Sequence, residues 1–147
     1  MPGMPLNGDY APSPSQRVRD QVSLYESSGG TDGTTMRGLP VVVVTSRGAH
    51  TGKIRKTPLM RVENAGRYAL VASQGGAPTH PTWYRNLVSH PRVEVQDGPL
   101  RQDMNVRELA GDERAAWWER AVEAFPDYAD YQRSTHREIP VFLAEPA

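Results

Sequence analysis

Cysteine is absent from the 147 residues. That removes disulfides, thiolate nucleophiles and cysteine-ligated zinc, and it fits a reducing compartment. No apolar run approaches the roughly 18 residues a membrane span needs, and the N-terminus lacks the apolar core of a signal peptide. The expected location is therefore the cytoplasm. Net charge is missing as well: 17 Lys and Arg balance 17 Asp and Glu, so nothing global argues for nucleic acid or a membrane surface. The four histidines, His50, His80, His90 and His136, form no i, i+4 pair and have no carboxylate cluster beside them, so no metal site is expected. No serine stands in a nucleophile-elbow pattern. An enzyme with this inventory takes its chemistry from a cofactor.

One local absence is more informative. Between Gly33 and Val62 there is no carboxylate, while Arg37, Arg47, Lys53, Arg55, Lys56, Arg61 and His50 all fall in that interval. The apolar run from Val41 to Val44 reads as a buried strand. Gly48 and Gly52 bracket a turn, and a second strand carries basic residues away from it. Such a turn is a candidate anion cradle, because backbone N–H groups and guanidinium forks both favour negative oxygens. It is not a nucleotide-triphosphatase loop. Three residues rather than four separate the glycines, Ile54 follows Lys53, and a strand rather than a helix comes next. The plain alternative is a solvated hairpin whose charges keep an edge soluble.

The remaining pattern is that of one domain. Residues 1–16, rich in Pro, Gly, Ser and Asn, read as a flexible tail, and residues 17–147 as a single cofactor-binding domain. Val18, Val22 and Tyr25 define one face of a helix that stops at Gly29 and Gly30. Residues 55–63 form a strand in which Pro58 marks an edge or bulge. Asn64-Ala65-Gly66 signals a hairpin, and residues 67–73 return as a strand. Residues 74–81 carry too much Gly and Pro for regular structure. Residues 82–89 make two helical turns, residues 92–96 and 100–107 two strands, and residues 111–124 the longest helix. Pro126 breaks that helix, Asp127 is placed to cap a short one with Tyr128 and Tyr131, and Pro140 opens a last strand. The expected fold is α+β: a small antiparallel split β-barrel with peripheral helices.

Two aromatic pairs pose a question of direction. Trp83 and Tyr84 point about 100° apart on a helix, so one packs inward while the other can line a cleft. Tyr128 and Tyr131, three apart, share a face, either on a pocket or against the barrel.

The order of several stretches resembles the deazaflavin (coenzyme F420)-dependent nitroreductase family of split-barrel oxidoreductases. These are Gly48-Ala-His-Thr-Gly-Lys-Ile-Arg-Lys-Thr-Pro-Leu59, Val71-Ala-Ser-Gln-Gly-Gly-Ala77, His80-Pro-Thr-Trp-Tyr-Arg-Asn-Leu87 and Phe125-Pro-Asp-Tyr-Ala-Asp-Tyr131, with Tyr25-Glu-Ser-Ser-Gly-Gly-Thr-Asp-Gly33 near the start. The resemblance covers nearly everything after residue 17. It implies that reduced coenzyme F420 transfers a hydride to an electron-poor acceptor such as a quinone, an enone or a nitroaromatic. It implies a grip on the cofactor's phosphate and oligoglutamyl tail by Ala49, His50, Thr51, Arg55 and Lys56, with Thr57, Pro58 and Met60 beside them. Ala72, Ser73 and Gln74 would line the ring, as would Thr82, Trp83, Tyr84, Arg85 and Asn86. Tyr128 would stand near cofactor and acceptor, and Tyr131 at the acceptor pocket, positioning rather than protonating it.

Where the family often has lysine this chain has His50 and Gln74, and it has Ala49 at a position that can be arginine. Phe125 replaces what can be a third pocket tyrosine. These departures bear on cofactor affinity and on substrate preference. FMN, with one phosphate and no oligoglutamate, is the competing cofactor and needs fewer cations. A non-catalytic carrier or storage protein for coenzyme F420 is the competing role, and a nucleic-acid-binding barrel ranks last, opposed by the acidic stretch 112–130. The N-terminal helix could touch a membrane where quinones reside. Its polar face mixes Arg17, Arg19, Asp20 and Glu26, so contact there is expected to be weak. Related barrels pair, which makes a homodimer the expected assembly.

Overall fold

The computed structural model describes residue 6 and residues 8–147. The flexible tail expected over 1–16 thus falls partly outside the described residues. Of its remainder, the backbone of residues 9–11 lies along Ile54, with the Ile54 amide donating to Asp9 O at 2.7 Å and the Ala11 amide to Ile54 O at 2.8 Å.

Helix α1 (Gln16–Ser27) starts where the Ser15 side chain accepts from the Val18 amide, an ordinary N-cap. It buries Val22 and Tyr25. Strand β1 (Thr35–Met36) leads into the central β2 (Leu39–Arg47), which is followed by β3 (Ile54–Met60), β4 (Glu63–Asn64) and β5 (Arg67–Val71). Then come α2 (Thr82–Ser89), β6 (Arg92–Asp97), β7 (Leu100–Glu108), α3 (Gly111–Ala124), α4 (Asp127–Arg133) and β8 (Val141–Pro146). All pairings between these strands are antiparallel, and Tyr10 adds an isolated parallel bridge to Ile54. The strands run β1-β2-β6-β7-β8-β5-β4, and β3 pairs the other side of β2. This is the split antiparallel barrel with four helices around it.

Side-chain alternation gives the sheet two dry faces. Val41 and Val43 join Val22, Tyr25, Trp117, Phe125 and Tyr128 beneath α1, α3 and α4. Val42 and Val44 join Trp83, Leu87, Val93, Val95, Met104 and Phe142 in the barrel interior. A strand buried on both faces must be continuously apolar, which is why the four valines read so clearly.

The same alternation explains Pro58. Ile54 directs its backbone groups away from β2, toward residues 9–11, so Lys56, Pro58 and Met60 share that outward parity. Proline's missing donor therefore costs no ladder bond, and β3 is an edge strand as its proline implied. At the β4–β5 hairpin, Ala65 (φ 54) and Gly66 (φ 78) both adopt left-handed conformation, the requirement of a tight two-residue turn.

Two local expectations need correction. Residues 74–81 are not wholly irregular, since Gln74–Gly76 forms a single 3₁₀ turn. Asp127 does not cap α4: the N-cap is Pro126 with no side-chain bond, and the Asp127 carboxylate instead receives Arg37 Nη1 at 2.6 Å.

Candidate functional site

A cleft of about 790 Å³ opens between the basic turn after β2, the N-terminal half of α2, and the loop that precedes it. The Gly48 amide donates to Lys53 O at 2.7 Å and the Gly52 amide to Gly48 O at 3.0 Å, with Gly52 at φ 69. The Lys53 amide donates to Thr51 Oγ1 at 3.2 Å. Asn86, from α2, accepts the Ala49 amide on Oδ1 at 2.9 Å, so helix and turn hold one another in register. The turn amides are thus largely committed to the turn itself. Its contribution to the cleft wall comes from Arg55, with His50 beside it. Arg47 donates to Gly52 O at 2.8 Å and is not on the cleft wall.

Of the residues singled out from sequence, Ala49, His50, Thr51, Arg55, Thr82, Tyr84, Arg85 and Asn86 line this cleft together. Others do not. Lys56 follows Arg55 in a strand, so it points to the opposite face, where Nζ meets Glu26 Oε2 at 2.6 Å and lies 5.1 Å from the Tyr10 ring centroid. Pro58 and Met60 share that α1-side parity, and Met60 belongs to the core there. Thr57 has Arg55's parity but stands further along β3, away from the cleft wall. Trp83 is buried in the barrel against Phe142, ring centroids 6.1 Å apart, while Tyr84, 5.5 Å from the same ring, also lines the cleft.

Ala72 and Ser73 are buried, and Gln74 is exposed with φ 45 at the head of the 3₁₀ turn. Tyr128 is buried in an aromatic group with Phe125 at 4.9 Å and Trp118 at 6.3 Å. Burial pushes its phenol well above the usual tyrosine range. Tyr131 is half-buried, 5.9 Å from Phe125, and its backbone packs on Gly76, where an added Cβ would stand 2.8 Å from Tyr131 O.

Sequence reasoning missed the far wall. Pro78, Thr79, His80, Pro81 and Arg137 complete it. Arg137 donates from Nε to Ala77 O at 2.8 Å, from Nη1 to Ala72 O at 3.1 Å, and from Nη2 to Ser73 O at 2.6 Å. It also contacts His80 Nδ1 at 2.9 Å. Its partners lie 57 to 65 positions away, a distance across which no local pattern carries a signal. His80 did lie in a matched stretch, but without an assigned role.

His80 packs on Tyr84, centroids 4.4 Å apart, and Tyr84 Oη donates to Glu108 Oε1 at 2.9 Å. That bond raises the Tyr84 phenol above its usual range. Partial desolvation, then the Arg137 charge, hold His80 below the ordinary imidazole value against the pull of Glu108.

Three arginines, two histidines and no carboxylate face a cleft whose walls include two buried or half-buried rings, Pro81 and Tyr84. That donor set fits a cofactor with phosphate and carboxylate groups and a flat ring system. Among the described residues no group of three or more His, Asp or Glu could hold a metal ion. A split barrel with such a cleft is suited to bind an anionic cofactor with a flat ring.

Comparison with known proteins narrows this. The family model for F420H(2)-dependent quinone reductase matches residues 17–146. A putative F420H(2)-dependent quinone reductase of Mycobacterium tuberculosis (strain ATCC 25618 / H37Rv) is 33% identical over 108 residues, covering 74% of this chain and 91% of the relative. An F420H(2)-dependent quinone reductase of the same strain is 32% identical over 132 residues, covering 87% and 89%. A solved F420-H2 dependent reductase (FDR-A) superposes with a TM-score of 0.69 at 55% identity, over 72% of this chain and 94% of that one. Another solved structure, described as a domain-swapped dimer, gives 0.72 at 51% identity over 90% of this chain and 100% of that one. The haem storage protein HutZ of Vibrio cholerae, 15% identical with a TM-score of 0.56 over 73% of this chain and 81% of that one, shares the fold alone. The chain belongs to the F420H(2)-dependent quinone reductase family. It is an oxidoreductase, and reduced coenzyme F420 is its hydride donor.

Proposed function

We propose that the cleft holds reduced coenzyme F420 and that the acceptor is a quinone. The observation that carries this reading is the carboxylate-free lining, in which Arg55, Arg85 and Arg137 converge with His50 and His80 beside the Tyr84 ring. Bound coenzyme F420 supplies the hydride. The chain's own residues bind, orient and exclude water. Arg55 and His50 are assigned to the acidic part of the cofactor, where a guanidinium offers a fork of donors to paired oxygens. Asn86 keeps the turn in place for them through the Ala49 amide. Tyr84, Thr82 and Arg85 flank the ring.

Tyr131, half-buried against residues 74–76, is the residue we assign to the acceptor. Tyr128 supports it from the core, ring centroids 6.3 Å apart. Buried in the core and off the cleft wall, the Tyr128 phenol is given no proton-transfer role. Protonation of the reduced acceptor comes from water, and catalysis here consists of orientation.

A homodimer is the assembly we infer, supported by the exposed Leu24 and Leu100 and by the swapped dimer among the similar structures. Light scattering on the purified protein tests it, and a monomer at all concentrations would remove it.

The deciding experiment titrates the protein with coenzyme F420 and with FMN, following intrinsic fluorescence, and then supplies the reduced cofactor with menadione. Saturable binding of coenzyme F420, inert FMN and quinone-dependent oxidation are expected. Binding without turnover would favour the carrier role, and a preference for FMN would sink the cofactor assignment.

A further inference from the structure

Arg137 stands out because its partly buried guanidinium is spent on backbone carbonyls and a ring nitrogen, with no carboxylate partner among the described residues. It enters from the connection between α4 and β8, and it separates the cleft from a smaller cavity of about 310 Å³ on its other side. Three of its bonds go to the backbone carbonyls of Ala72, Ser73 and Ala77. Burial lowers its affinity for its own proton, the response of a cation enclosed without a counter-ion.

The fourth bond has a consequence for His80. Arginine has donors and no acceptor, so His80 Nδ1 must accept, and the ring proton sits on Nε2. A guanidinium has five N–H groups, of which four are engaged here. One remains, with the whole charge.

We propose that Arg137 is a positioning residue for the cofactor cleft. It fastens residues 72–80 into a wall, fixes His80 as the Nε2–H form, and offers its remaining N–H to an anionic oxygen of the bound cofactor. This second point of anion recognition lies on a different segment from the basic turn, and it suits a ligand with negative charge at both ends. The proposal rests on the reading of the cleft as the site of coenzyme F420.

Lysine keeps the charge but has three donors on one atom and cannot span three carbonyls and a ring nitrogen. Arg137→Lys, Arg137→Gln and Arg137→Met are therefore compared with wild type in two measurements. Amide hydrogen exchange without ligand reads the wall directly. Exchange over residues 72–80 should accelerate in all three variants while β2 and β6 keep their protection. Cofactor affinity should fall roughly ten- to hundredfold for the neutral variants and less for Arg137→Lys. The salt dependence of binding should weaken with the lost charge, and added guanidinium ion should restore part of the affinity of Arg137→Gln.

If exchange over 72–80 does not change, the positioning role is wrong. If exchange accelerates while affinity and salt dependence stay as in wild type, the anion contact is wrong and the proposal is overturned. Should Arg137→Met fail to fold, Arg137→Lys carries both measurements. A wild type that binds no coenzyme F420 would overturn the functional reading and the anion contact with it, and the exchange experiment on unliganded protein would still decide the wall.

Discussion

Helix α2 places Trp83 and Tyr84 one residue apart, and α4 places Tyr128 and Tyr131 three apart. The first pair differs in exposure, Trp83 buried in the barrel and Tyr84 at its rim, on Phe142 and on the cleft. The second stays together, with both rings in T-shaped contact with Phe125. Neighbouring helical positions diverge by about 100° while i and i+3 nearly coincide, so spacing alone separates a pair that serves two environments from one that serves one. Tyr128 of α4 and Trp83 of α2 are architecture, and Tyr84 is the one of the four on the cleft wall.

The sharpest test of that division is Tyr128→Ala. Emptying a buried aromatic site should lower folding stability by about 3–5 kcal/mol, visible in chemical denaturation, whereas Tyr128→Phe should leave both stability and quinone turnover close to wild type. Marked loss of turnover in Tyr128→Phe, with stability intact, would move this phenol from architecture to chemistry.

The next effect belongs to the strand neighbours Arg55 and Lys56. Arg55→Gln should weaken coenzyme F420 binding by roughly ten- to hundredfold, the equivalent of a charged hydrogen bond, with little change in unfolding. Lys56→Gln should do the reverse, leaving binding within about twofold and costing at most ~1 kcal/mol of stability through the lost bridge to Glu26. Equal losses of affinity in both would mean that β3 twists on binding so that both faces reach the ligand.

A smaller, pH-linked effect comes from His80. Its pKa in the fold lies below the unfolded value of 6.5, so the unfolded chain takes up the proton first. The contribution of neutral His80 is fully present above about pH 6.5. It is lost as pH falls through the lower folded value, when the protonated ring can no longer accept from Arg137. Exchange over 72–80 should therefore quicken on acidification, and His80→Asn should flatten that response. The smallest change is expected for Tyr84→Phe. It removes one half-exposed bond to Glu108 at about 0.5–1 kcal/mol while keeping the ring that faces the cleft, so a large loss of affinity would mean that the hydroxyl itself contacts the ligand.

Much of this fold was legible in the chain. The four valines of β2, Pro58 on its edge strand, the Asn64-Ala65-Gly66 turn and the limits of α2 and α3 all follow from local pattern. Half of the cleft was legible too, because the basic turn and the start of α2 are continuous stretches. Lys56, which the resemblance placed in the grip, points by strand parity to the α1 side and meets Glu26 there. Arg137 was invisible because its four partners are assembled only when α4 turns the chain back past the loop before α2. Asp127, a good capping residue by type, was drawn away by Arg37, a contact 90 positions distant.

The strip of chain at residues 9–11 bears on how the molecule behaves in a crowd. An edge strand offers a row of unpaired backbone groups to any other extended chain. On β3 the outward groups of Ile54 are covered by Asp9 and Ala11, and Pro58 has no amide to offer. Lys56 adds a charge between them. What is left is too broken to template another strand. On this edge the barrel can be concentrated without growing into a fibre.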